Sequence, residues 1–274
     1  MYNSRVILLE RYDVFLFDLD GVLYRGDEAI PSAAEVIAAI RSAGKGVAFV
    51  TNNASATPDD VVGRLERVGI GAQASEVETS ALTTAALLAH RGTQHVVVIG
   101  EAGLLEALAS AGVRATHARD VTDGPDAEVA EAVVVGLDRT ADYAALRAAC
   151  LQVDAGAPLV ATNPDTSFPA PGGHRWPGAG ALLAAIQATT GATAEVVGKP
   201  NAPIFEAALA RAGGGRPLMV GDRLDTDIEG AARLGWDSLL VLTGIDGREQ
   251  ALEAPHPPTY IGQDLSCLVE PGFA

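Results

Sequence analysis

The chain carries two carboxylates one residue apart, Asp18 and Asp20, directly after the apolar run in "VFLFDLDGVLY". A carboxylate taken out of water is costly unless it is paired or binds a cation, so a buried strand ending on two of them calls for positive charge. Other segments end on matching groups. "GVAFVT" ends on Thr51 with Asn52 and Asn53 behind it, "EVVGK" ends on Lys199, and "PLMVGD" ends on Asp222 with Asp225 and Asp227 close by. Together these meet the needs of phosphoryl transfer to an enzyme carboxylate. One carboxylate attacks phosphorus, a divalent cation relieves the repulsion between two anions, and donors hold the equatorial oxygens as charge shifts. Asp18, Asp222 and a backbone carbonyl near Asp20 make a normal oxygen set for magnesium. Thr51 supplies a hydroxyl and Lys199 a point charge. Asp20 stands where it would protonate a leaving alcohol, given a pKa near the working pH. Asp225 has no ligand duty in this scheme and reads as part of a helix entry.

Short β-branched runs alternate with helical patterns from end to end, and the runs are continuously apolar, as parallel strands covered on both faces require. The chain is therefore α/β. Open sheets of this class bind ligands at the carboxyl ends of their strands, which is where each polar group above falls. Helix starts are legible too. Ser32 with Glu35 reads as a capping box opening "AAEVIAAIRSAG", and Thr57-Pro58-Asp59-Asp60 as an N-cap, a first-turn proline and an acidic first turn. From about Leu82 to about Thr190 the chain has its own alternation, with strands "HVVVIG", "EAVVVGL" and "PLVATN", closing on the Pro/Gly-rich "NPDTSFPAPGGHRWPGAG". A second core inserted into the first accounts for this; one long open sheet is the alternative that patterning leaves standing.

At 274 residues the chain suits one large domain or two modest ones. A formal net charge of -16 argues against nucleic acid or an anionic membrane as a partner. Cys150 and Cys267 lie too far apart for a zinc spacing and point to free thiols in a reducing compartment. "MYNSRVILLERYDVF" is interrupted by Arg5, Glu10 and Arg11 and lacks a cleavage site, so no signal peptide is expected, and no apolar run is long enough to span a bilayer. A cytoplasmic protein is the expectation. "GAGALL" lacks the third glycine of a dinucleotide fingerprint, and "VGKP" lacks both the earlier glycine and the hydroxyl residue of a P-loop. His90, His95, His117 and His256 have no partner spacing.

In order, strand placement and interval, "DLDGVLY", "VTNN", "GKP" and "GDRLDTDI" resemble the four motifs of the haloacid dehalogenase superfamily of phosphatases. "ATNPD", "PGAGAL" and "VGKPNAPIF" resemble its branch of nitrophenylphosphatase-like, pyridoxal phosphatase and glycerol-phosphate phosphatase proteins, over nearly the whole chain. The resemblance implies a Rossmann-like parallel-sheet core, residues 1–81 and 191–274, with a smaller α/β cap, residues 82–190, inserted between the second and third motifs. It makes Asp18 the nucleophile, Asp20 the general acid and base, Thr51 and Asn52 phosphate binders with Lys199, and Lys199 the charge stabiliser. Asp222 becomes a magnesium ligand beside Asp18 and Asp20, with Asn53 and Asp227 in support, Asp227 at the magnesium shell or at Lys199. The dehalogenase branch lacks the second aspartate of the first motif, so Asp20 favours phosphate over halide.

In capped enzymes a loop such as that bearing His174, Arg175 and Trp176 reaches over the active site. Arg175 would then meet a polar substrate tail and Trp176 stack on a ring, with Asn163 and Asp165 fixing the loop's approach. The same loop would equally suit solvent or a partner subunit. The implied activity is magnesium-dependent hydrolysis of a small soluble phosphomonoester through an aspartyl-phosphate, in a homodimer joined through the cap. A phosphotransferase or mutase using the same intermediate, and a non-catalytic ligand binder on this fold, are the alternatives. The residues do not choose among glycerol phosphate, phosphoglycolate, pyridoxal phosphate and nucleoside monophosphates, with a lean to small polyol or glycolate phosphates.

Overall fold

The structure, a computed structural model, describes residues 7–122, 128–170, 172 and 174–271. The first six residues of the N-terminal stretch read above lie outside them. The chain divides into two compact units, one of Met1–Thr51, Pro58–Glu78 and Lys199–Ala274, the other of Asn52–Thr57 and Thr79–Gly198.

In chain order the first unit begins with β1 (Val14–Phe17), the short strands β2 (Tyr24–Arg25) and β3 (Glu28–Ala29), and α1 (Ala33–Ser42). It continues with β4 (Gly46–Thr51), α2 (Pro58–Arg67) and β5 (Val77–Thr79). The second unit carries α3 (Ser80–His90), β6 (His95–Ile99), α4 (Ala102–Ser110), β7 (Arg114–His117) and β8 (Ala132–Val135). Then come α5 (Tyr143–Asp154), β9 (Leu159–Ala161), β10 (Ser167–Ala170), β11 (His174–Pro177), α6 (Ala179–Thr190) and β12 (Glu195–Val196). The chain returns to the first unit through α7 (Ala202–Arg211), β13 (Pro217–Gly221), α8 (Glu229–Arg233), β14 (Asp237–Val241), α9 (Arg248–Glu253) and β15 (Tyr260–Gly262).

The strands form two main sheets rather than one long open sheet. In the first unit the order is β15-β14-β13-β1-β4-β5, and in the second it is β12-β9-β8-β6-β7. The pairings along β15-β14-β13-β1-β4 and throughout the second sheet are parallel. Burial on both faces explains the unbroken apolar runs. On β6, Val97 and Ile99 join one cluster with Ala145 and Ala149 of α5 and Ile186 of α6, while Val96 and Val98 join another with Leu88 of α3 and Leu104 of α4. In the first unit, Val14, Leu16, Val50 and Met219 pack with Ile204 and Phe205 of α7.

One expected helix start does not form as read. Ser32 precedes α1 with φ 67°, in the left-handed region, and its side chain makes no capping bond. A capping serine sits in the extended region with its hydroxyl accepting from the first turn, which this backbone does not allow.

Candidate active site

Strand register brings the polar groups of the first unit to one edge of its sheet. Phe17 of β1 pairs with Val220 of β13 and Phe49 of β4, and the Asp18 amide donates to Val220 O at 2.9 Å. Asp18, Thr51 and Asp222 therefore lie at or just past the ends of three neighbouring strands. All three are buried.

Lys199, 3% exposed, ties this edge together. Its Nζ donates to Asp18 Oδ1 at 2.6 Å, to Asp227 Oδ1 at 2.7 Å and to Val50 O at 3.4 Å. Asp227 sits in a single π-helical turn, Leu224–Ile228, leading into α8; such turns often mark functional positions. Its second oxygen accepts from the Arg223 amide at 3.2 Å. Asp222 is held by the chain after β14, with Oδ2 accepting from the Ile245 amide at 2.8 Å and its carbonyl from the Asp246 amide at 3.1 Å.

Glycines make this approach possible. A β-carbon at Gly244 would stand 1.9 Å from Asp222 Oδ2, and one at Gly21 2.4 Å from the same atom. Gly21 also has φ +81°, which other residues rarely adopt.

Carboxylate oxygens of Asp18, Asp222 and Asp227 lie within 4.8 Å of one another. Burial first, then the charges of Asp18 and Asp227, push Asp222 up to about 8. Burial pushes Asp227 up to about 6 against the pull of Lys199. For Lys199 burial works toward neutrality, but Asp18 and Asp227 outweigh it and hold the ammonium well above its ordinary value. Three carboxylates face one ammonium, leaving a formal excess of two negative charges, and Asp222 Oδ1 is buried with no hydrogen-bond partner among the described residues. A hard divalent cation fits this donor set: it would occupy the orphaned oxygen and balance the excess.

Asp20 is not one of the three. Its side chain is 57% exposed, with Arg64 Nη2 at 4.0 Å from Oδ2. Partial loss of hydration holds its pKa above the ordinary value, against the lowering effect of Arg64 and with help from the charge of Asp18. Asp225 is exposed and pairs with Arg223 at 2.8 Å.

In the second unit Asn52 is the centre of a separate group. Its Nδ2 donates to Asp165 Oδ2 at 3.0 Å, and its carbonyl accepts from Asn163 Nδ2 and Ser80 Oγ, each at 2.7 Å. Asn163 and Asp165, expected to shape the approach of the chain that follows them, thus also grip Asn52. Asn53 forms an Asx turn, its Oδ1 accepting from the Ser55 amide at 2.9 Å and Oγ at 2.7 Å. His174, Arg175 and Trp176 lie on β11, all exposed. The expected loop is an antiparallel hairpin with β10, in which Phe168 pairs with Trp176 and their rings meet edge to face at 6.1 Å. None of His95, His117 or His256 joins the carboxylate cluster: His95 bonds to Thr116, His117 to Asp138 and His256 to Glu229. Arg64 and the close glycine contacts were invisible in the sequence, because their partners are distant in the chain and no spacing rule connects them.

A strand leading into Asp18, with a lysine and an acid cluster beside it, lies on a parallel-sheet unit interrupted by a second α/β unit. The haloacid dehalogenase-like hydrolase model matches residues 15–114 and the HAD-hydrolase-like model residues 196–268. The chain belongs to the haloacid dehalogenase-like hydrolase family. It is 38% identical over 265 residues to D-glycerol 3-phosphate phosphatase of Mycobacterium tuberculosis, covering 95% of this chain and 72% of that protein. It is 36% identical over 265 residues to acid sugar phosphatase of Staphylococcus saprophyticus, covering 96% and 98%. Among solved structures, glycerol phosphate phosphatase of Mycobacterium tuberculosis in complex with magnesium superposes with a TM-score of 0.89 at 36% identity, covering 97% of this chain and 78% of that one. The same phosphatase has been solved with calcium.

Proposed function

We propose that this protein is a magnesium-dependent phosphatase that hydrolyses a small phosphomonoester through an aspartyl-phosphate on Asp18. The observation that carries the reading is the buried trio of Asp18, Asp222 and Asp227 with one ammonium among them and one orphaned oxygen. Asp18 and Asp222, with the main chain near Asp20, would hold the cation and Asp227 would support that shell. Bound there, magnesium supplies the charge that lets a carboxylate and a phosphate dianion approach.

The chain's own residues supply the rest. Lys199 engages Asp18 Oδ1, which leaves Oδ2 to attack phosphorus. Asp227 anchors Lys199 and so fixes the attacking group. As the new O–P bond forms, the ester P–O bond breaks and the departing oxygen takes a proton from Asp20. Asp20, now ionised, then accepts a proton from water as that water attacks phosphorus, releasing phosphate and restoring Asp18. Thr51, Asn52 and Lys199 are the proposed holders of the phosphoryl oxygens. The unit containing residues 82–190 is the proposed cap, and its arm bearing His174, Arg175 and Trp176 the selector of the leaving group. The relatives named for glycerol 3-phosphate and for acid sugars favour a small polyol or sugar phosphate. Exposed Tyr143 and Leu151 on α5 support a homodimer through this unit, which sedimentation at micromolar concentration checks. Cys150 and Cys267 are both free, which accords with a cytoplasmic setting. Among the described residues no helix is long and apolar enough to cross a membrane.

The test is phosphate release from a panel of phosphomonoesters with magnesium, with excess chelator, and with calcium in its place. Hydrolysis should require magnesium, stop in chelator and fail with calcium, whose looser shell misplaces the reacting groups. Undiminished hydrolysis in chelator would sink the reading. Added alcohols should not divert the phosphoryl group; efficient diversion would favour a phosphotransferase.

A further inference from the structure

Arg64 binds three parts of one short segment. Its guanidinium carbon stands 4.3 Å from the centre of the Tyr24 ring, its Nη2 donates to Gly26 O at 2.7 Å, and the same nitrogen lies 4.0 Å from Asp20 Oδ2. Gly26 lies in the turn between β2 and β3, and its carbonyl accepts from Arg64. Val22, Leu23 and Tyr24 are buried, but Asp20 and residues 25–29 on either side of them are exposed. The β2–β3 hairpin has two residues per strand, too few to be stable alone, and Asp20 itself is more than half exposed. Other ties reach the segment from the chain after β14, where Thr243 Oγ1 donates to Gly21 O at 2.6 Å and Arg25 Nε donates to Thr243 O at 2.5 Å. Those ties hold Gly21 and Arg25; Arg64 approaches the carboxylate.

We propose that Arg64 is a positioning residue for proton transfer to the leaving group, strapping the Gly26 turn and the Asp20 carboxyl into one fixed arrangement. The inference rests on the phosphatase reading above. A partly exposed ion pair at this distance contributes little to stability, so the strap's effect is on orientation. In the transfer step the Asp18 Oδ2–P bond forms, the ester P–O bond breaks with its electron pair going to the departing oxygen, and the Asp20 proton moves to that oxygen. An alkyl leaving group needs that proton, because an alkoxide is a strong base. A nitrophenolate does not, because the ring stabilises the anion. A displacement of the acid by about 1 Å costs on the order of a hundredfold where the proton is needed.

The test is Arg64→Met, which keeps an apolar stem against Tyr24 and removes the guanidinium. With magnesium present, kcat for glycerol 3-phosphate should fall by about tenfold or more while kcat for 4-nitrophenyl phosphate falls by less than about threefold, with KM little changed for either. Equal losses on the two esters, or no loss on either, would overturn the proposal. Asp20→Asn measured alongside separates the two failures. If Asp20→Asn is selective for the alkyl ester and Arg64→Met is not, only the role of Arg64 falls; if neither is selective, the assignment of Asp20 as proton donor falls with it. Hydrogen exchange gives a readout independent of turnover. The Gly21 and Ile30 amides, which donate to Tyr24 O and Leu23 O within this segment, should exchange faster in Arg64→Met while amides of β1 and β13 do not. Unchanged exchange there would also overturn it.

Discussion

Both units bury aspartate, three side chains together in the first and Asp138 among its donors in the second, and the two clusters are held in opposite ways. In the second unit Asp138, 4% exposed, accepts from the Thr140 amide at 2.8 Å and hydroxyl at 2.7 Å, from His117 Nε2 at 3.0 Å and from Arg119 Nη2 at 3.4 Å. Burial alone would raise its pKa, but the Thr140 and His117 hydrogen bonds outweigh it and hold the carboxyl below its ordinary value. In the first unit Asp18, Asp222 and Asp227 share one ammonium, and burial with mutual repulsion pushes Asp222 up to about 8. The same residue type, buried in both places, stabilises one unit and strains the other. What differs is the supply of donors. A carboxylate whose donors are built in belongs to the architecture, whereas one left short of positive charge is prepared for a ligand that brings it.

The largest effect that would test this contrast is on turnover in the first cluster. Asp18→Asn should reduce phosphate release by several orders of magnitude, because an amide cannot attack phosphorus. Its fold should survive, since a repelling charge has been removed, and Asp222→Asn should for the same reason melt no lower than the parent in chelator. Parental turnover in Asp18→Asn would refute the nucleophile assignment. Lys199→Ala should behave differently. It should slow the chemical step on the order of a hundredfold and also lower the melting temperature, since it leaves three buried carboxylates without a cation. Single-turnover kinetics and a thermal melt read both effects, and an unchanged melt would remove Lys199 from its place at the centre of the cluster.

The first cluster was legible in the sequence and the second was not, for a physical reason. Asp18, Thr51 and Asp222 each follow or end a continuously apolar strand of one sheet, and a parallel sheet must deliver such residues to a common edge; Lys199 instead follows β12, two residues of the other sheet, so the strand rule does not account for its place. Asp138 also follows a strand, β8, and His117 ends β7, but a donor and acceptor that satisfy each other leave no pattern beyond two ordinary polar residues. Both sheets were foreshadowed by their strands, although patterning alone could not separate two sheets from one. The Ser32 start failed because a capping box depends on backbone angles that residue types do not fix. In the arm bearing Trp176, proline and glycine content hides from the sequence the cross-strand pairing of Phe168 with Trp176. Arg64 had no signal at all, since its value comes from where α2 places it.

A moderate effect is expected at the arm bearing Trp176, which contrasts with both clusters in being exposed. The groups that recognise phosphate and cation cannot distinguish leaving groups that share both. Arg175→Ala and Trp176→Ala should therefore reorder preference across a phosphomonoester panel by about 1 to 3 kcal/mol per lost contact, with little change for a small aryl phosphate. A ranking that stays the same in both variants would move the selector elsewhere in the unit.

The smallest effect completes the contrast, because it should appear in stability and leave the chemistry alone. Asp138 has a folded-state pKa below the ordinary value of 3.8, so its contribution is complete at neutral pH and is lost only as pH falls through that depressed value. Asp138→Asn exchanges a charged acceptor for a neutral one beside His117, Arg119 and Thr140, and should destabilise the protein by about 1 to 3 kcal/mol at neutral pH. The gap between parent and variant should stay constant down to mildly acidic conditions and close below about pH 4, where the parent's carboxyl also takes up its proton. Denaturant melts of both proteins across that range measure it directly. A gap that widens toward acid, or that is absent at neutral pH, would mean that Asp138 is not held by its donors as the geometry indicates, and the distinction between the two clusters would lose its energetic basis.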